Sequence, residues 1–276
     1  MPINYLKKIQ LGDFNEDGYR ISPSEAVDAF IEGFYIFSRD LRDHTDLLFN
    51  DGFPVLVFLQ NSEDTVQVTG QKDVSEVKAV WASAGAIKNV YVKYNNRTDR
   101  VFIVRFYPGS FYKLFGLDAQ YFRNNPVTPF DYFAKDNNFS ISEFFKHHSI
   151  EEKITFIEKY IQDSSSVSNV CGALHQTLDY IHQTKGKSTV RNVTDEAGVN
   201  YKWLERSFMK NIGLLPKEYI QLQRFINAYL ELVGSIDVDL MRIAVSNGYY
   251  DSNHFLKDFK TYTGKTPLAY LKFNAS

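Results

Sequence analysis

Residues 246–267 read S-N-G-Y-Y-D-S-N-H-F-L-K-D-F-K-T-Y-T-G-K-T-P, and their interpretation decides the fold of half the chain. Alone, the stretch is one amphipathic segment carrying Lys257, Lys260 and Lys265 between Gly248 and Pro267. That describes a solvated helix as well as one laid against an anion. A second copy lies 51 residues upstream: Leu204 aligns with Phe255, Arg206 with Lys257, Phe208 with Phe259, Gly213 with Gly264, Pro216 with Pro267 and Tyr219 with Tyr270. Both copies therefore contain F-x4-G-x2-P-x2-Y. Further upstream the register slips by one residue, between Gly198 and Gly248.

Each copy makes physical sense as helix, tight turn, helix. In the second, Leu240, Ile243 and Ala244 form an apolar stripe, Gly248 supplies a left-handed turn position, and Asp251 or Ser252 can cap the next helix. In the first, Val190, Val193 and Ala197 form the stripe, Gly198 the turn and Asn200 the cap. Two helices joined by a short Gly-containing turn carry the helix-turn-helix signature. On each second helix, Leu204 with Phe208, and Phe255 with Phe259, share the core face. Lys202 with Arg206, and Asn253 with Lys257, lie about 200° away, on a face left to solvent or a partner. Long cationic donors suit guanine O6 and N7, and an amide suits adenine N6 and N7. Glu205 flanks the first face as an acceptor for cytosine N4, or as half of a helix-surface ion pair.

Between the copies, Pro216 begins a helix running to about Gly234, with Tyr219, Leu222, Ile226, Tyr229 and Val233 at helical spacing. Such a helix is roughly 28 Å long. Two major-groove helices on one face of B-DNA must be about 34 Å apart. A spacer of near that length lets two units work as one clamp.

The segment from about 170 to 274 resembles the DNA-binding domain of AraC/XylS-type transcriptional regulators, carried by I-A-V-S-N-G-Y-Y-D-S-N-H-F-L-K-D-F-K-T-Y-T-G-K-T-P-L-A-Y (243–270). The resemblance implies two helix-turn-helix units, about 188–212 and 237–263, joined by helix 216–234. It places base-facing residues at Lys202, Glu205 and Arg206 in the first unit and at Ser252, Asn253 and Lys257 in the second; Lys260 joins them as a DNA-contact candidate. Lys257 stands where such regulators usually carry Arg, which removes bidentate geometry. The partner implied is double-stranded DNA. A small-molecule effector, RNA polymerase and a second copy of the chain are further partners to look for, and no membrane partner is expected.

Residues 1 to about 135 read as β-rich. F-I-E-G-F-Y-I-F (30–37), P-V-L-V-F-L (54–59), T-V-Q-V-T-G (65–70), N-V-Y-V-K-Y (89–94) and R-V-F-I-V-R-F (100–106) have the spacing of antiparallel strands in a sandwich or small barrel. Then S-F-Y-K-L-F-G (110–116), S-I-S-E-F-F-K-H-H (140–148) and residues 150–162 read as helices. Ile150, Ile154, Ile157 and Ile161 form a stripe that serves either packing within the domain or a dimer helix. S-S-S-V-S (164–168) is the linker candidate. V-R-F-Y-P-G-S (104–110) with L-F-G-L (114–117) resembles the β-barrel sensor domain that precedes some AraC-type units. The expected fold is a two-domain α+β chain. A mainly antiparallel β barrel or sandwich with trailing helices spans 1–163, for ligand sensing or dimerisation, and an all-α double helix-turn-helix spans 168–276.

Composition narrows the alternatives. The 276 residues are 44% hydrophobic and 16% aromatic, which excludes a mainly disordered chain. The single cysteine, Cys171, excludes an internal disulfide framework and reads as a small core residue. No uninterrupted apolar h-region opens the chain and no run approaches a membrane span, so a cytoplasmic protein is expected. Net charge is −2, but residues from Ser166 onward hold 13 Lys+Arg against 10 Asp+Glu, a local balance of +3 that leaves −5 for the rest.

No G-x-S-x-G, P-loop or H-E-x-x-H occurs, so neither an enzyme nor a cofactor is expected. Asp13, Asn15, Asp17 and Gly18 imitate a calcium loop, but Ser24 holds the position that needs a bidentate acid, so an Asx-rich turn is expected. A metal-holding barrel needs converging His and carboxylates, and before residue 147 only His44 is available. The aromatics Phe34, Tyr35, Phe37, Phe53, Phe58, Tyr91, Tyr94, Phe102 and Phe106 read first as a filled β core, second as a ligand pocket. The competing function is a ligand-binding or interaction protein whose helical scaffold does not bind DNA. A steep loss of affinity with salt separates the two.

Overall fold

Four apolar runs of the N-terminal half form strands buried on both faces: β2 (Ile31–Ser38), β4 (Val55–Phe58), β7 (Val80–Ser83) and β9 (Arg100–Phe106). In the computed structural model, which describes residues 1–12, 14, 18–39, 45–70, 74–95, 99–134, 139–164 and 172–275, they are the centre of a six-stranded antiparallel sheet. Its order is β1 (Gly18–Ile21), β2, β9, β4, β7, β10 (Val127–Pro129). Successive side chains point to opposite faces. Tyr35, Phe37, Val55, Val57, Trp81, Val101 and Ile103 therefore enter one core, and Phe34, Ile36, Leu56, Phe58, Phe102 and Val104 enter another.

The first core lies against a four-stranded sheet, β3 (Asp46–Leu48), β8 (Val90–Tyr94), β5 (Thr65–Thr69), β6 (Val74–Lys78). This sheet is covered on one side, so β5 alternates between buried Val66 and Val68 and exposed Gln67 and Thr69. The chain changes sheet at Ala79, whose φ is +54°. Among the described residues neither sheet closes on itself, so the N-terminal half is a sandwich and not a closed barrel. α1 (Ile3–Leu11) closes one end of it, with Tyr5 stacked on Phe37 at 4.1 Å.

The second core is covered by α2 (Ser110–Leu114), α3 (Tyr121–Asn124), α4 (Asp131–Ala134), α5 (Ile141–Lys146) and α6 (Ile150–Ser164). Ile154, Ile157 and Ile161 are buried there, so the isoleucine stripe is spent on packing within the chain. Of the nine sequence-marked aromatics, seven are buried in the two cores, and Phe53 and Tyr91 stay half-buried.

The helical half comprises α7 (Gly172–Gln183), α8 (Val190–Ala197), α9 (Tyr201–Asn211), α10 (Pro216–Gly234), α11 (Leu240–Ser246), α12 (Ser252–Thr263) and α13 (Pro267–Ala275). The first sandwich core runs on into it without a break: Phe49 packs on Phe225 at 5.5 Å and on Tyr262 at 5.7 Å. Gln223 of α10 donates to the Asp51 carbonyl at 2.6 Å. Behind it the buried Arg105 guanidinium pairs with Asp51 and with Glu32 (3.0 Å), and lies 3.9 Å over the Phe53 ring. The linker candidate at 165–168, Cys171, His44 and positions 13, 15 and 17 of the calcium-loop imitation lie outside the described residues.

Candidate nucleic-acid interface

The two helix-turn-helix units are built from local capping. Thr189 accepts from the Asn192 amide (3.2 Å) and starts α8, and Gly198 ends it at φ +61°. Asn200 then caps α9 by accepting from the Trp203 amide at 2.9 Å. In the second unit Asp239 accepts from the Met241 and Arg242 amides, each at 3.0 Å, to start α11. Gly248 provides the turn at φ +79°, and Asp251 caps α12 through the His254 amide at 2.9 Å. The cap is thus Asp251; Ser252 is the first residue of α12. Each such cap satisfies donors that a helix start leaves open.

One face of each second helix is sealed. Leu204, Phe208, Phe255 and Phe259 are fully buried. Phe259 meets Phe225, Phe255 and Tyr270, while Phe208 packs edge-on to Tyr219 at 5.6 Å. α10 begins with Pro216, and Glu218 accepts from the Leu215 amide at 2.9 Å. Glu231 ties α11 to α10: it accepts from Asn247 (2.7 Å) and Ser246 (3.0 Å) and pairs with Arg242 (3.2 Å). Helix angles are thereby held by a buried amide, not by the turn alone.

The opposite faces carry the sequence-marked residues. Lys202, Arg206, Asn253, Lys257 and Lys260 are exposed; Glu205 and Ser252 are half-buried. Among the described residues, the side chains of Lys202, Asn253, Lys257 and Lys260 make no hydrogen bond or ion pair. Arg206 folds back, its Nε donating to the Lys202 carbonyl at 3.2 Å. The two faces look onto different surroundings. Arg206 lines a cleft of about 460 Å³ with Lys113, Asp118 and Gln120 of the N-terminal half. Lys257 lines one of about 480 Å³ with Gln221, Arg224, Tyr250 and His254, all from the helical half.

The sequence reading missed Arg224 and Tyr250. Tyr250 is 86% exposed in the second turn, and Arg224 stands 5.6 Å over the Tyr249 ring. The aligned position of the repeat held a signal for neither, because Arg224 belongs to the connector and Tyr250 to the turn where the register slips. Asp258, beside Tyr249, has its carboxyl pushed up by burial, so α12 does not gain a fully solvated negative charge next to Lys257.

Matches to known proteins fall in both halves of the chain. The family described as a helix-turn-helix domain matches residues 193–272, and a domain of unknown function (DUF6597) matches residues 19–128. The Msm operon regulatory protein of Streptococcus mutans is 29% identical over 154 residues, which is 55% of this chain and 51% of that protein. The chain thus spans about half the length of the curated relative it matches. Among solved structures, ToxT from Vibrio cholerae is similar over 94% of this chain and 99% of its own, at 12% identity and a TM-score of 0.45. The xylose-binding transcription activator xylR is similar over 40% of this chain and 29% of its own, at 24% identity and a TM-score of 0.34. The helix-turn-helix family match spans the repeat and both of its capped turns, and with the Msm operon regulatory protein it supports the resemblance to AraC/XylS-type transcriptional regulators.

Proposed function

We propose that the chain binds double-stranded DNA through α9 and α12, in two successive major-groove segments, and regulates transcription from the bound site. One observation carries this reading. The same helix face is left open and polar in both copies, Lys202 with Arg206 and Asn253 with Lys257, while its opposite face is fully buried. A helix built only for packing has no need of an exposed face of polar and basic side chains repeated at one offset. Lys202, Glu205, Arg206, Ser252, Asn253 and Lys257 read base edges, and Lys260 meets phosphate. Phosphate contacts supply most of the affinity, and each good base contact adds about 1–3 kcal/mol.

The N-terminal unit, about residues 1–163, supplies the input, by sensing a small ligand or pairing two copies; the DNA-binding unit covers 168–276. Since the sandwich is filled by its own side chains, the place for a ligand is the cleft of about 760 Å³ between the halves, lined by Glu32, Phe53, Arg105, His182 and Gln223.

Selection from random duplexes with the full chain tests the reading. A bipartite motif with half-elements about one turn apart, bound with steep salt dependence, is the expected result. No enrichment and a flat salt response would leave an interaction protein on a helix-turn-helix scaffold.

A further inference from the structure

The turns that follow the two recognition helices are bound by the N-terminal half in the same way. Tyr112 of α2 donates its hydroxyl to the Ile212 carbonyl at 3.2 Å, and Tyr91 of β8 donates to the Thr263 carbonyl at 2.5 Å. Ile212 and Thr263 are the same position of the repeat, 51 residues apart. The glycine after each is pressed onto the sandwich half. A Cβ on Gly213 would stand 2.4 Å from the Ala119 carbonyl oxygen, and one on Gly264 would stand 2.1 Å from Asn89 Oδ1. Asn89 adopts φ +54° there and donates its amide to the Tyr262 carbonyl at 2.8 Å.

Carbonyls at a helix C-terminus have no partner within the helix, so a donor aimed at them is a specific latch. Both phenols are held in the donating form: burial and the neighbouring Tyr270 push Tyr91 up to about 12, and burial pushes Tyr112 up as well. The two anchors stand on different elements of one packed sandwich, whose geometry is not free to stretch. Extra contacts surround each: Arg123 pairs with Glu218 at 2.7 Å beside the first, and the Lys265 ammonium lies 5.7 Å over the Tyr91 ring at the second.

We infer that Tyr91 and Tyr112 are positioning residues for DNA binding: they fix the separation of α9 and α12 by clamping equivalent turns onto the N-terminal half. This rests on the DNA-binding reading above. α10 then acts as one of two connections between the recognition helices, the clamped N-terminal half being the other, and any input that shifts that half reaches both helices at once.

The test uses the full chain with Tyr91→Phe, Tyr112→Phe and the double variant, which keep the rings and remove the hydrogen bonds. Binding is measured on the selected half-elements with the intervening spacer varied one base pair at a time. The double variant should lose about two- to tenfold of the preference for the optimal spacer, while affinity for a single half-element stays within about twofold. Separately, and without DNA, the distance between spin labels at positions 210 and 261, in a Cys171→Ser background, should be narrowly distributed in the parent and broad in the double variant. An unchanged spacer profile overturns the inference, whether or not the distances broaden. If the parent selects no DNA, the DNA-binding reading fails on its own, and a narrow distance distribution in the double variant would remove the clamp as well.

Discussion

The two helix-turn-helix copies share a motif and an apolar face but not an environment. α9 lies beside α2 of the N-terminal half, and its Arg206 faces Lys113, Asp118 and Gln120 across a cleft. α12 is flanked by its own half, with Arg224 and Tyr250 near Lys257. The cores differ too: Phe259 sits in a cluster of five rings with Phe225, Tyr229, Phe255 and Tyr270, while Phe208 has Tyr219 as its aromatic neighbour. Duplication conserved what each unit needs to fold. Position against the sandwich then made the two faces chemically unequal.

The largest test of that inequality is in the cores. Phe208→Ala and Phe259→Ala should each cost about 3–5 kcal/mol in denaturant melts, since both side chains are fully buried. Phe259→Ala should sit at the upper end, because more rings lose a partner. Equal losses would mean the richer cluster adds nothing to the second unit.

The turns come next. Gly213→Ala combines a left-handed φ of +77° with a backbone oxygen at 2.4 Å, so a loss of about 2–4 kcal/mol is expected. Gly198→Ala, at φ +61° in open space, should cost only about 1–2 kcal/mol. If the two match, the docking of the first unit on Ala119 carries no energy.

The faces follow. Arg206→Ala should lower affinity for the preferred site by about 1–3 kcal/mol and relax selection at one or two base pairs. A loss that is uniform across sequences would demote Arg206 to a phosphate contact. Lys257→Ala should have the smaller effect on specificity, since an ammonium lacks the fork that matches guanine.

The smallest effect is on pH. His182 of α7 bonds the Tyr219 hydroxyl at 2.8 Å and stacks on Phe53 at 5.8 Å, where the two halves meet. Burial lowers its pKa below the ordinary 6.5. The unfolded chain then binds the proton more readily, so stability falls as pH drops below about 6.5 and is level above it. His182→Gln should flatten that acid limb in melts across pH. An unchanged limb would assign it to other groups.

What was legible in the sequence was local. The 51-residue offset, the caps at Asn200 and Asp251, the turn glycines and the 19-residue α10 all depend on neighbours within a few positions, and the structure has them where the spacing put them. The exposed faces followed from helical periodicity in the same way. The five long strand signals were also readable, because strands buried on both faces are continuous apolar runs and one-sided strands alternate. The short β1, β3, β6, β7 and β10 were not, since three to five residues gain their conformation from partners distant in sequence. Nor was α1, whose apolar residues are meaningful only against Phe37 and β3.

Tertiary structure alone decided how the halves join. No pattern marks Phe49 as a contact for Phe225, or Tyr91 and Tyr112 as donors to the turns of the repeat. Gly213 and Gly264 follow α9 and α12 with φ of +77° and +72°, and that turn role is local. Their second role, to let a backbone and a short side chain approach within a Cβ's reach, exists only once the sandwich is packed against them. A repeat can be read from residue types because each copy folds on its own neighbours. The bonds that tie the ends of α9 and α12 to the N-terminal half span 100 and 172 residues of chain, which only the packed molecule brings together.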